Sequence, residues 1–306
     1  MAVAVLGSIN MDITAYLERL PRPGETLHGR DYKIGLGGKG ANQAVAARRL
    51  GGDIRFVART GADFFGDAAR RELALYGVDL DLVARDEHGT TGIAIISVDQ
   101  GGENFISVIG GVNLEVDLQD VARGRAALEQ SRVLLLQLEV PLEASLAAAK
   151  IVRNAGGTVI LDPAPALPQK LARDVLGAVD IVTPNESEAA AILGWTPASR
   201  DDGLRAANEL RAAGAPASVV KLGAKGAVVA TASGERFIEP FTVEAIDTVA
   251  AGDIFNGGLA HALDQGVPLF EAVRFASACG ALSTTRKGAA ATAPTKAEVE
   301  AFVAQA

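Results

Sequence analysis

Asp253 ends the stretch DTVAAGD (Asp247 to Asp253), and the residues just before it are small. Ala250, Ala251 and Gly252 lead into a helical pattern, Ile254 to Asp264, that starts near Asp253. The first N–H groups of a helix lack helical partners. With the helix dipole they form an anion site, here open enough for a transferring phosphoryl group. A carboxylate at its mouth is placed to take a proton from an attacking hydroxyl, as a general base. Asp is also a favoured helix N-cap, so this stretch alone leaves base and cap both open.

A second glycine-bearing stretch is GLGGKGANQA, Gly35 to Ala44. Gly35, Gly37 and Gly40 fit G-x-G-x-x-G, but a dinucleotide fingerprint follows its first strand directly, and here a long irregular stretch intervenes. A Walker loop fails too, because Gly40 follows Lys39 and Lys33 stands where the first Gly belongs. What remains is a turn entering a helix, Gly40 to Leu50, with Lys39 and Asn42 as donors at its first turn. Glycines let a ligand approach the backbone closely. Such a site suits the hydroxyls of a polyol or sugar.

Other chemistries find no support. His28, His88 and His261 match no metal-ligand spacing, and there is no G-x-S-x-G elbow. Cys279 is the one cysteine, in an apolar stretch that reads as a buried helix. No disulfide can form within the chain, which fits a reducing compartment.

Several elements must hold these residues in place. Ala2–Ser8, Ile54–Arg59, Arg132–Leu138, Thr158–Asp162, Asp180–Asn185 and Ala217–Gly223 are near-continuous apolar runs, as strands covered on both faces show. Helical patterns lie between them, at Ala41–Leu50, Asp67–Tyr76, Leu142–Ala155, Glu186–Leu193 and Leu204–Ala213. Three more close the chain, at Ile254–Asp264, Leu269–Leu282 and Lys296–Ala304. The alternation predicts an α/β fold with a parallel sheet and helices on both faces. Ligands of such sheets bind beyond the carboxyl ends of the strands. Polar residues gather there: Asn10 and Asp12 after the first run, then Glu139, then Asn185 and Glu188, then Gly223, and DTVAAGD after FTVEAI.

Two segments break the rhythm. Residues 13–34 contain PRPGE and no helical period, and residues 91–109 read as two strands around a Gly101–Gly102 turn. Both are expected in a small accessory sheet that covers the site as a lid. With its strands set inside the alternation, the chain is expected to form one main domain over 1–306.

The 306 residues are 49% hydrophobic and carry a formal charge of -8, with both signs spread along the chain. No Lys/Arg run suggests nucleic acid. No segment reaches the ~20 apolar residues of a membrane helix, and the N-terminus lacks a signal peptide's basic lead. A cytoplasmic protein is expected.

In order along the chain, GSINMD, GGKGANQA, NESE, KLGAKG, DTVAAGD and TRKGA together resemble the ribokinase branch of the PfkB family of carbohydrate kinases, over essentially the whole length. The resemblance implies a ribokinase-like three-layer α/β/α fold, with a mostly parallel central sheet and a small β-sheet lid. It also implies an ATP:sugar phosphotransferase acting on O5 of D-ribose. Asn10, Asp12, Gly38, Lys39, Gly40, Asn42 and Glu139 would hold the sugar, with Asp253 as base and Ala250, Ala251 and Gly252 as the anion hole. ATP would lie against Asn185, Lys221, Gly223, Ala224, Lys225, Gly226, Gly252 and Ser277. Asn185 and Glu188 would help place Mg²⁺ through water. A monovalent cation, K⁺, would sit at Asp247, Val249, Ser283, Arg286, Gly288 and Thr292, mostly on backbone carbonyls.

This chain departs from the family's pattern at Ile254, where a Thr is usual, and at Ser277, often a larger polar residue. The alternatives are a family member for deoxyribose, a keto sugar or a nucleoside, a sugar-binding sensor without catalysis, and a dehydrogenase resting on the glycine fingerprint alone. A homodimer paired through the lid would protect its exposed strand edges.

Overall fold

Successive side chains of a strand point to opposite faces, so an apolar run without polar alternation needs cover on both sides. The first strand, Ala2–Leu6, shows this directly: Val3 and Val5 join one apolar cluster, and Ala4 and Leu6 join another. Leu134 and Leu135 divide the same way.

A computed structural model describes residues 2–101, 103–167 and 170–305. In chain order the strands are β1 (Ala2–Leu6), β2 (Asn10–Tyr16), β3 (Asp31–Gly37), β4 (Asp53–Gly61), β5 (Val83–Asp86), β6 (Gly92–Val98) and β7 (Asn104–Ile109). They continue with β8 (Ser131–Leu136), β9 (Thr158–Leu161), β10 (Ile181–Val182), β11 (Ala217–Lys221), β12 (Ala227–Thr231) and β13 (Gly234–Ile238). The helices are α1 (Lys39–Arg49), α2 (Phe64–Leu75), α3 (Leu118–Arg123), α4 (Arg125–Gln130), α5 (Leu142–Asn154) and α6 (Arg173–Gly177). After them come α7 (Glu186–Leu193), α8 (Arg200–Ala212), α9 (Ala251–Asp264), α10 (Leu269–Thr284) and α11 (Lys296–Val303).

The main sheet has the order β13-β12-β11-β10-β9-β8-β1-β4-β5. From β5 to β11 neighbouring strands are parallel, and the β12–β13 hairpin adds an antiparallel edge. Helices α1, α2, α9, α10 and α11 carry the apolar cluster on one face, and α3 to α8 that on the other. This is the expected three-layer α/β/α arrangement, with the carboxyl ends of the parallel strands on one edge.

A second, four-stranded sheet has the order β3-β2-β6-β7. Its β2 and β6 are parallel, and the outer pairs are antiparallel. The sheet is wider than residues 13–34 and 91–109: β2 begins at Asn10 and β3 runs on to Gly37, so both ends of the irregular stretch ahead of the glycine turn are paired strand and residues 17–30 between them are not. Gly102 of the expected turn lies outside the described residues.

Other differences are local. The run FTVEAI forms no strand, because β12 and β13 already complete that edge. Periodicity does not predict those two strands, nor β5, α3, α4 and α6; they are short, and the β12–β13 turn at 232–233 leads into Gly234, whose φ of 136° suits glycine. Among the described residues no helix is long and apolar enough to cross a membrane.

Candidate active site

Helix α9 begins at Ala251, two residues ahead of Asp253, with Ala250 as its N-cap at φ 60° and ψ 6°. Asp253 therefore sits inside the first turn and is not the cap. Its carboxylate turns instead towards α1: Oδ2 accepts from Asn42 Nδ2 at 2.9 Å and Oδ1 accepts from Gln43 Nε2 at 3.2 Å. Asp253 is 4% exposed. The N–H groups of Gly252 and Asp253 have no hydrogen-bond partner among the described residues, whereas that of Ala251 donates to Thr248 O at 3.3 Å. A methyl group added at Gly252 would lie 3.4 Å from Lys221 Nζ, so an ammonium flanks these free amides.

The glycine turn packs α1 onto the end of β1. Gly38 has φ 84°. A Cβ at Gly40 would lie 2.6 Å from the backbone of Gly7 and Ser8, a contact only glycine permits. Ser8 Oγ donates to Glu139 Oε2, which also accepts from Lys39 N at 3.0 Å. Asn10, Asp12, Lys39, Asn42 and Glu139 thus converge from β2, α1 and the loop after β8.

Charge in this group is unbalanced. Burial, then Glu139 and Asp253, push the Asp12 carboxyl from 3.8 up to about 7. Burial also raises Asp253, against the lowering effect of Lys39 and of the Asn42 hydrogen bond, with Asp162 and Glu139 adding to the rise. Burial disfavours the Lys39 ammonium, but Asp253, Asp162, Glu139 and Glu188 outweigh it and the net shift is upward. One lysine therefore serves several carboxylates. A cleft of about 780 Å³ opens between the small sheet and the loops at 245–249 and 287–291. Asp12, Lys33, Glu72, Asp247 and Gly288 are among the residues that line it, whereas Asp253 lies buried off its wall.

The expected nucleotide and cation residues fall on neighbouring loops. Gly223–Lys225 forms a tight 3-10 turn after β11, with Gly223 and Gly226 at φ 56° and 99°. Lys225 Nζ pairs with Glu186 at 3.2 Å. Ser277 Oγ donates to Val273 O within α10. A Cβ added at Gly280, one turn further along, would lie 3.2 Å from Ala251 O, so α10 runs close beside the start of α9.

Asn185 and Glu188 form the capping box of α7: Glu188 accepts from Asn185 N and Nδ2, at 2.7 and 2.9 Å. Both Glu188 oxygens are thus engaged, a donor set that suits holding a metal through water. Burial raises Glu188, with Lys221 opposing. Asp247 joins the two loops of the expected K⁺ site, because Oδ1 accepts from Val249 N and Oδ2 from Gly288 N, each at 3.0 Å. Ser283 and Thr292 donate their hydroxyls to carbonyls of their own turns, and Arg286 pairs with Glu298. With the Arg286 guanidinium paired, what these residues can offer a cation is carbonyl and hydroxyl oxygen.

Four residues of this region escaped the reading of the sequence. Asp162 follows β9 and pairs with Lys221 at 3.1 Å. Strand-end position is the available signal, but the run Thr158–Asp162 places Asp162 within its strand and not after it. Gln43 also donates from Nε2 to Asp162 Oδ2 at 3.0 Å, and Gln137 Nε2 donates to Gln43 Oε1 at 2.7 Å. Asn113 accepts from Ile9 N and donates from Nδ2 to Ile9 O and to Asn10 Oδ1, at 2.9, 3.0 and 2.8 Å. Neutral amides in a helix, a strand and a turn carry no distinguishing pattern.

The model of the pfkB family carbohydrate kinase matches residues 2–296. A ribokinase from Haemophilus influenzae is 40% identical over 304 residues, covering 99% of both chains. A deoxyribokinase from Salmonella typhi is 35% identical, covering 96% of both. The solved structure of Arabidopsis thaliana ribokinase complexed with ribose and ATP aligns with a TM-score of 0.89 at 30% identity, covering 99% of this chain and 98% of that one.

Proposed function

Because the chain belongs to the pfkB family of carbohydrate kinases, we propose that it transfers the γ-phosphoryl group of ATP to O5 of D-ribose, releasing ADP and ribose 5-phosphate. One observation carries the residue assignments: a buried carboxylate, Asp253, lies next to the unpartnered amides of its own first turn, with Lys221 beside them.

Asn10, Asp12, Gly38, Lys39, Gly40, Asn42 and Glu139 bind the sugar hydroxyls. Asp253 takes the O5 proton as O5 attacks the γ-phosphorus in line and the bond to ADP breaks. Negative charge on the transferring group faces the amides of Gly252 and Asp253 and the Lys221 ammonium. Phosphoryl transfer asks mainly for such positioning and charge stabilisation. Ala250 and Ala251 shape the hole, and Ala251's N–H joins it by leaving Thr248. ATP lies along Asn185, the turn Lys221–Gly226 and α10 at Ser277. Mg²⁺ would neutralise phosphate charge, held at the protein by Asn185 and Glu188 through water. K⁺ would sit between the loops that Asp247 joins, with Val249, Ser283, Arg286, Gly288 and Thr292 around it.

The small sheet, one lobe of a single domain, acts as a lid that excludes water and so limits loss of ATP to hydrolysis. On β7 every residue is exposed, and Phe105, Ile106, Val108 and Ile109 make that edge apolar. Pairing of two lids in a homodimer covers it. The enzyme works in the cytoplasm, in keeping with its single buried thiol.

The relative that acts on deoxyribose supports a second reading, in which that sugar is the acceptor. ADP release with ATP and a panel of ribose, deoxyribose, keto sugars and nucleosides, with and without K⁺, separates the two. Ribose is expected to show the highest kcat/KM, and preference for another acceptor overturns the ribose assignment. Sedimentation as a monomer would end the lid-dimer proposal.

A further inference from the structure

Gln43 and Gln137 are both 0% exposed, and neither has a part in binding or transfer as described so far. The two hydrogens of Gln43 Nε2 reach two different carboxylates, Asp253 Oδ1 at 3.2 Å and Asp162 Oδ2 at 3.0 Å. Its Oε1 is taken by Gln137 Nε2 at 2.7 Å. Rotating the Gln43 amide by half a turn would set its oxygen against both carboxylates and its NH₂ against another NH₂, so Gln137 locks the orientation that works. Gln137 has a poor environment of its own. Its Oε1 is buried without a partner among the described residues, and any side chain at Gly7 would strike that oxygen. A buried unsatisfied amide oxygen is costly and is not what packing alone would retain.

We infer that Gln43, oriented by Gln137, is a positioning residue: it holds the Asp253 carboxylate in line and ties it to the Asp162–Lys221 pair that flanks the anion hole. The base and the ammonium beside the phosphoryl group are then set relative to each other by one amide. The inference rests on Asp253 being the base. The charged groups facing Asp253 are Lys39 from α1, Asp12 from β2, Glu139 from the loop after β8 and Asp162 from the loop after β9. From α10, Cys279 packs on Gly258, and burial keeps its thiol protonated. Without the bridging amide, Asp253 loses a donor and meets Asp162 unscreened, so both changes favour its protonated form.

The test compares kcat and KM for ribose across pH in Gln43→Met, Gln137→Met and Asp253→Asn, using the full chain with saturating MgATP. Gln43→Met is expected to move the acidic limb of kcat up by about one pH unit and to lower kcat at neutral pH about 10- to 100-fold. KM for ribose should stay within about threefold, since Asn42 and Lys39 are untouched. Gln137→Met should move the limb the same way by less, and it carries the test alone if Gln43→Met does not fold. An unmoved limb in the folded variants, with activity scaled equally at every pH, overturns the inference while Asp253→Asn stays inactive. Near-normal turnover in Asp253→Asn overturns the base assignment and this inference with it.

Discussion

Asn42 Nδ2 donates to Asp253 Oδ2 at 2.9 Å across 211 residues of chain. The bond joins the first turn of α1, which follows the glycine turn, to the first turn of α9, which follows the small residues. Two stretches that read separately as a polyol site and an anion site are thereby brought together, with Asp253, the proposed base, between them.

Asp253→Asn tests this junction. The amide cannot accept the O5 proton, so kcat should fall on the order of 10²–10⁴-fold. The affinity for ribose by calorimetry should stay within about threefold. The melting temperature should not drop, because a buried carboxylate disfavoured by burial has been neutralised.

Asp12→Asn should separate binding from stability. With its carboxyl raised from 3.8 to about 7, Asp12 is ionised above pH 7 in an environment that opposes the charge, so it penalises folding there. As pH falls from 7 towards 4 the folded state takes up a proton that the unfolded state does not yet hold, and the penalty fades. The variant should therefore melt a few degrees above the parent at pH 8, and the two should converge near pH 4. KM for ribose should rise at least about tenfold, because a charge-assisted hydrogen bond is lost.

Asn113→Asp probes the amide behind the sugar site. Asn113 Nδ2 holds Asn10 Oδ1 at 2.8 Å, leaving Asn10 Nδ2 to donate to a hydroxyl. A carboxylate at 113 would repel that oxygen and favour the reversed Asn10 amide. KM for ribose is expected to rise about tenfold with kcat within about threefold. Steady-state kinetics reads both, and an unchanged KM would remove Asn10 from the sugar site.

Asp247→Asn addresses the cation. The carboxylate accepts from Val249 N and Gly288 N and so holds two loops together. An amide retains one acceptor and loses the charge. Half-maximal activation should require about 10- to 100-fold more K⁺, the usual effect of removing a group that orients ligands. Titration of activity with KCl at constant ionic strength measures it.

Reading the chain alone was enough for the layers of the fold, because local pattern encodes them. Short uninterrupted runs such as Ala2–Leu6, bounded by turn residues, read as strands covered on both sides, and the segments between them repeat with helical spacing. The same local logic pointed to the strand ends, to Lys39 and Asn42 at a helix start, and to small residues ahead of Asp253. It could not separate a helix cap from a base at Asp253. Where α9 begins removes the cap, since Ala250 holds that position, and the Asp253 carboxylate turns towards α1; the base role is the proposal built on that placement. Nor could spacing reveal Gln43, Gln137, Asp162 or Asn113. Their partners lie tens to more than two hundred residues away in the chain, brought near by sheet order and helix packing. A neutral amide has the same local signature at the surface as in the site, and only the groups that folding sets around it give it a direction.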